Sequence, residues 1–123
     1  MAADDTPRQI RVIAFPEGGE TPRVLMLDPD SLEDAQALVD GDLEMMRLKD
    51  GLAVFCNEDG IRLEMEPNRL IPPSLTGWFD PWRSTIRGPF YISTQDESSL
   101  TDKQLKYILH AFGEPLEVSG TVE

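Results

Sequence analysis

The sequence predicts an α+β domain, a small and mostly antiparallel sheet of about five to six strands with two helices. Three observations over its 123 residues predict it. Short apolar runs are separated by Gly, Asp and Asn turn chemistry. Two segments place a helix-capping pair ahead of an apolar period of three to four residues. No internal repeat, low-complexity tract or linker divides the chain, so residues 1–123 read as one domain.

In chain order, residues 1–8 read as a frayed start. Residues 9–15 alternate Ile10, Val12 and Ala14 against Arg11 and Ile13, the two-residue period of a strand, and Pro16, Gly18 and Gly19 end it. Residues 23–27 form a second strand, and the intervening EGGETP makes the pair a hairpin. Ser31 caps a helix with Asp34 three residues on; Leu32, Ala35, Leu38 and Val39 form its apolar side and Gly41 its exit. Residues 43–48 and 52–56 are strands joined through Lys49, Asp50 and Gly51, where Asp-Gly supplies the positive φ angles of a tight turn. Asn57, Glu58, Asp59 and Gly60 turn the chain again into residues 61–65, expected as the third strand of a meander.

Five prolines, Pro67, Pro72, Pro73, Pro81 and Pro89, remove backbone donors from residues 67–89. That segment is expected as an ordered excursion with little regular structure, packed by Trp78, Phe79 and Trp82. Residues 90–93 return as a strand. Thr101 and Gln104 make a capping box, Leu100 staples onto Leu105, and Leu105, Ile108, Leu109 and Phe112 line the last helix. Gly113, Glu114 and Pro115 stop it, leaving residues 114–123 as a tail.

Eleven Lys plus Arg against 23 Asp plus Glu leave a formal charge of −12. That excludes a generally basic nucleic-acid coat and disfavours an anionic membrane surface. The single cysteine, Cys56, excludes an internal disulfide and a cysteine-rich metal cage, and favours a reducing, cytoplasmic setting. No apolar run reaches the length of a membrane span, and the opening residues lack the pattern of a signal peptide. The charge is uneven. Residues 1–66 hold 16 acids and 6 bases, whereas residues 67–100 hold three of each.

The order of turns carries a resemblance. The stretch VDGDLEMMRLKDGLAVFCNEDGIRLEMEPNR, with its Asp40-Gly41 entry, the CNEDG turn at residues 56–60 and the PNR triplet at residues 67–69, is similar to the family of small proteins called domain of unknown function 3846. Ile86, Gly88 and residues 89–92 resemble its glycine-led returning strand, and SLTDKQ at residues 99–104 resembles the opening of its last helix. The resemblance covers residues 24–112 and departs at residues 72–85, read as a Pro and aromatic insertion. It implies a setting among accessory products of phages, conjugative plasmids and their hosts, often near antirestriction genes. It implies no catalytic residue.

Enzyme chemistry lacks a constellation to run on. The lone His110 reads as a surface or boundary residue of the last helix, and Cys56 as a small hydrophobe ending a strand. Asp28, Asp30 and Asp34 lack the glycine that a calcium loop needs; Glu58 and Asp59 are turn residues; Gly18-Gly19 has no phosphate-loop lysine. The expectation is therefore a non-enzymatic protein without metal or cofactor, binding by surface. Two surfaces are candidates. The acidic residues Asp28, Asp30, Glu33, Asp34, Asp40, Asp42 and Glu44 suit a basic site on a host defence or nucleic-acid-processing protein, as a DNA mimic would. Asn68, Arg69, Trp78, Trp82, Arg83 and Arg87 suit a nucleotide or other small anion, combining flat aromatic faces with guanidinium groups. Direct nucleic-acid binding and membrane attachment are not expected.

Overall fold

A computed structural model describes residues 8–17, 20–77 and 85–112 of the chain. Its main sheet has five strands, in spatial order β2 (Arg23–Leu27), β1 (Ile10–Phe15), β7 (Phe90–Thr94), β4 (Leu52–Asn57) and β3 (Leu43–Arg47), every neighbouring pair antiparallel. β1 (Ile10–Phe15) and β2 (Arg23–Leu27) form the first hairpin, with Ile10 opposite Leu27 and Ala14 opposite Arg23. β3 (Leu43–Arg47) and β4 (Leu52–Asn57) form the second. Between them Asp50 (φ 62°) and Gly51 (φ 75°) both take the left-handed conformation, whose twist matches that of the paired strands. β7 (Phe90–Thr94) enters between β1 and β4 and joins the hairpins; all five of its residues are buried.

The alternation along β1 and β7 sends apolar side chains to both faces, so each face needs a cover. On one side α1 (Leu32–Val39) buries Ala35 and Val39 against Ile10, Val12, Leu27 and Tyr91. On the other, α3 (Asp102–Phe112) presses Leu105, Ile108 and Phe112 onto Ile13, Phe15, Phe90 and Ile92. Phe15 and Phe90 stack with centroids 4.6 Å apart, and Phe112 tilts against both.

Both capping pairs form. Ser31 Oγ accepts from the Asp34 amide at 3.1 Å; Thr101 Oγ1 accepts from the Gln104 amide while Gln104 Oε1 accepts from the Thr101 amide. Asp40 (φ 61°, ψ 41°) takes the left-handed position that ends α1, one residue before the expected Gly41. Gly41 is nonetheless required: at φ 153° a Cβ there would lie 2.6 Å from Asn57 Nδ2. The apolar stripes are narrower than expected, since Leu32 and Leu109 are exposed.

Two expectations are corrected. Residues 61–65 form no strand: the Leu63 amide donates to Asp59, Met65 to Gly60 and Glu64 to Ile61, with Glu64 left-handed at φ 56°. This is a single helical turn closed by a Schellman motif, and Ile61 and Leu63 point to solvent. Residues 67–89 are more regular than their prolines suggest. β5 (Pro67–Leu70) and β6 (Thr85–Arg87) pair as a second sheet, and α2 (Pro73–Thr76) makes one turn. Pro67 opens a strand and Pro73 opens a helix, positions that need no N–H. Ile71, Leu75 and Ile86 then pack onto the α3 side of the core. The described residues thus hold seven strands and three helices in an α+β arrangement. Trp78, Phe79, Pro81, Trp82, Arg83 and Gly113 onward lie outside them.

Candidate interaction surface

The structure divides the acidic set. Asp28 and Asp30 lie in the link from β2 to α1, Glu33 and Asp34 in the first turn of α1, and Asp40 and Asp42 just past its end. Between Asp28 and Asp42 the chain carries six carboxylates and no Lys or Arg. All but Asp28 are well exposed, and α1 turns its buried residues toward the sheet, so this layer offers solvent a predominantly negative surface, interrupted at Asp30 by Arg8. Glu44 does not share it. Glu44 pairs with Cys56 across β3 and β4 and so points to the opposite side of the sheet from α1.

Local energetics explain half of this placement. Glu33 and Asp34 complement the positive end of the helix dipole, and Asp28 Oδ1 is occupied by the Asp30 amide. Asp40 and Asp42 sit at the negative end, where the last turn of α1 holds no basic residue and, among the described residues, only Gln36 Nε2, 3.1 Å from Asp42 Oδ1, donates to the pair's side chains. Two carboxylates there oppose the dipole.

The segment 68–91 is built differently from the surface expected of it. Asn68 is 2 % exposed; its Nδ2 lies 3.1 Å from Phe15 O, 3.2 Å from Pro16 O and 2.9 Å from Gly88 O, and its Oδ1 accepts from Arg69 Nη1 at 2.8 Å. Arg69 is equally buried, its guanidinium 5.2 Å from the Phe15 ring centroid. These two side chains anchor the second sheet to the end of β1. Gly88 completes the junction: φ is 77°, its amide donates to Glu66 O, and a Cβ would meet Met65 Sδ at 2.6 Å. Trp78, Trp82 and Arg83 lie outside the described residues.

Arg87 reaches a cleft of about 250 Å³ between β3, β4 and β6, lined also by Glu44, Met46, Cys56 and Ile61. One of its nitrogens donates to Met65 O at 3.1 Å. Burial, with Glu44 adding, pushes the Cys56 thiol up to about 12, which keeps it protonated near neutral pH. His110 is exposed on α3. Among the described residues no three His, Cys, Asp or Glu side chains gather as a metal site, and no helix is long and apolar enough to cross a membrane.

Two charged residues outside the expected sets act on the acidic layer. Arg8 Nη2 contacts Asp30 at 3.1 Å and Glu97 at 2.7 Å, tying the strand-like start of the chain to the turn after β7. Arg8 and Glu97 are 89 residues apart in sequence, so no local pattern announces the contact.

These features define a small α+β protein with an antiparallel sheet covered on both faces and an acidic outer layer. The chain belongs to the family described as Domain of unknown function (DUF3846), which matches residues 10–113. The match takes in the first hairpin as well as the later turns. No curated protein and no solved structure matches the chain.

Proposed function

We propose that the chain is a non-enzymatic binding protein of mobile-element type, whose α1 layer engages a basic site on a host defence or nucleic-acid-processing protein. The observation that supports this reading is the sequence run of six carboxylates without a Lys or Arg from Asp28 to Asp42, on and around α1, five of them exposed and one of these, Asp30, paired with Arg8. A basic cleft that normally grips phosphates attracts such a surface, and the attraction weakens with salt. The opposition of Asp40 and Asp42 to the helix dipole adds weight, because stability alone would place cations or neutral groups there.

The test is native capture from host lysate at low and high salt, with wild type beside the triple variant Glu33→Gln, Asp40→Asn, Asp42→Asn. A partner retained only at low salt, lost with the variant and released by duplex DNA supports the reading. No partner at low salt, or equal retention by the variant, refutes it.

A further inference from the structure

The two long helices lie on opposite faces of the main sheet, and their outer surfaces differ in sign. α3 buries Leu105, Ile108 and Phe112, so its solvent-facing side is Lys103, Lys106, Tyr107 and His110, all of them exposed. No carboxylate shares that side. The one acid of α3, Asp102, lies at its flank, where Arg11 Nη2 binds it at 2.9 Å. Among the described residues neither lysine forms an ion pair. In a chain with 23 acids and 11 Lys plus Arg, two unpaired lysines side by side stand apart from their surroundings. The helix itself does not favour them. Lys103 sits in the first turn, at the positive end of the dipole, and like charges three residues apart repel. The outer side of α1 is the complement. Glu33 and Asp40 are exposed, and among the described residues neither forms an ion pair. They stand seven residues apart, as do Lys103 and His110, so each row spans about two turns, about 10 Å.

We propose that the α3 face of one copy of this chain docks on the α1 layer of a second copy. Lys103 and Lys106 meet Glu33, Asp40 and Asp42, Tyr107 supplies flat apolar area, and His110 supplies a ring donor. Because the two patches lie on opposite faces of the sheet, the contact is head to tail. Each copy in it keeps one patch free, and copies add in open chains unless their rotation closes a ring. Overall charge opposes the contact, since each copy carries a formal −12. That repulsion is largely screened beyond about 10 Å at 0.1 M salt, whereas charges brought into contact are screened much less. At about 1 M the local attraction is screened as well. Association therefore peaks at intermediate salt, a signature that neither bare repulsion nor apolar attraction produces. The contact requires no host protein, so it stands whether or not the α1 layer also meets one.

Sedimentation velocity of the purified full chain tests it, at concentrations up to about 1 mM because a helix-sized contact is weak, and at about 0.01, 0.1 and 1 M salt. Expected is a sedimentation coefficient that rises with chain concentration, most strongly at the middle salt. The double variant Lys103→Glu, Lys106→Glu weakens association at least about tenfold. The control Lys49→Glu, Arg62→Glu makes the same change of charge at exposed turn positions and associates as wild type does. Glu33→Lys with Asp42→Lys is weakened like the first variant, and an equal mixture of the two reversed variants associates again, because each supplies the patch that the other lacks. Should a reversed variant fail to fold, the salt series of the wild type carries the decision. A wild type that stays monomeric at every salt, association that grows steadily with salt, undiminished association of the α3 variant, a loss shared by the control, or no recovery on mixing overturns the proposal.

Discussion

Asn68→Ala separates a structural hub from a ligand-binding residue. The wild-type carboxamide sits at 2 % exposure with three carbonyl oxygens around its Nδ2 and the Arg69 guanidinium on its Oδ1. Its two N–H groups can satisfy two of those carbonyls fully, at about 1 kcal/mol each, and a hydrogen bond from a charged group contributes about 1.5–3 kcal/mol. Alanine leaves these partners buried and short of a bond, so the expected loss is about 3–5 kcal/mol, a large share of the roughly 5–15 kcal/mol that a domain has. At about 4 °C per kcal/mol for a chain of this size, the melting midpoint falls by about 12–20 °C. Urea unfolding followed by circular dichroism reads it, with the slope m held constant as the check that the unfolded state has not changed. A loss below about 1 kcal/mol, the value expected of an exposed turn residue, would refute the hub and return Asn68 to the surface as a ligand contact.

Further outcomes follow from the same geometry. Gly41→Ala places a methyl against Asn57 Nδ2, which is pinned to Val39 O and Asp40 O, and is expected to cost at least about 1 kcal/mol in the same unfolding assay; a neutral substitution would show that the Asn57 bridge is dispensable. Thr101→Ala and Gln104→Ala each cost about 1 kcal/mol, and their double variant less than the sum, because the two capping bonds are reciprocal. Burial holds the Cys56 thiol and the Tyr91 phenol protonated up to about 12, whereas the unfolded groups ionise near about 8.5 and 10. The unfolded state therefore loses protons first as pH rises, and stability is full below about pH 8 and declines between about 9 and 12. Urea midpoints across that range check the sign, and a thiol reagent at pH 8 should modify Cys56 only once the chain is unfolded. Asp96 accepts from the hydroxyl and amide of Ser98, which lowers its pKa; its contribution is present above the usual carboxylate range and lost in acid, as a carboxyl NMR titration of wild type against Ser98→Ala will show.

Much of the fold was legible because its signals are local. Asp50-Gly51 dictates a turn by backbone conformation alone, and the pairs Ser31 with Asp34 and Thr101 with Gln104 announce helices through hydrogen bonds three residues long. The errors arise where a local pattern has no local partner. Ile61, Leu63 and Met65 alternate like a strand, but their backbone amides bond within the segment from Asp59 to Met65, where Glu64 turns left-handed to close the chain on itself. β5 and β6 pair across a gap that holds most of the prolines, and the described Pro67, Pro72 and Pro73 fall at element starts where their missing donors cost nothing. Burial of Asn68 and Arg69 was likewise invisible, since it depends on the end of β1, some fifty residues earlier.

The acidic surface shows how composition becomes a site only through topology. Read as a list, seven carboxylates from Asp28 to Glu44 look like one patch. Strand parity puts Glu44 on the far face of the sheet, in a cleft with Arg87 and Cys56, and leaves six around α1. Of those six, the two at the N-terminal turn lower the helix's energy and the two beyond its C-terminal end raise it. A chain selected for stability alone would favour Asn or Gly at the left-handed position 40 and a neutral or basic residue at 42. Neutralising Asp40 and Asp42 should therefore make the protein slightly more stable, and on the proposed function it should also weaken capture of a basic partner. That pairing of opposite signs separates a recognition surface from a merely soluble one, because a solvated face would lose nothing on neutralisation.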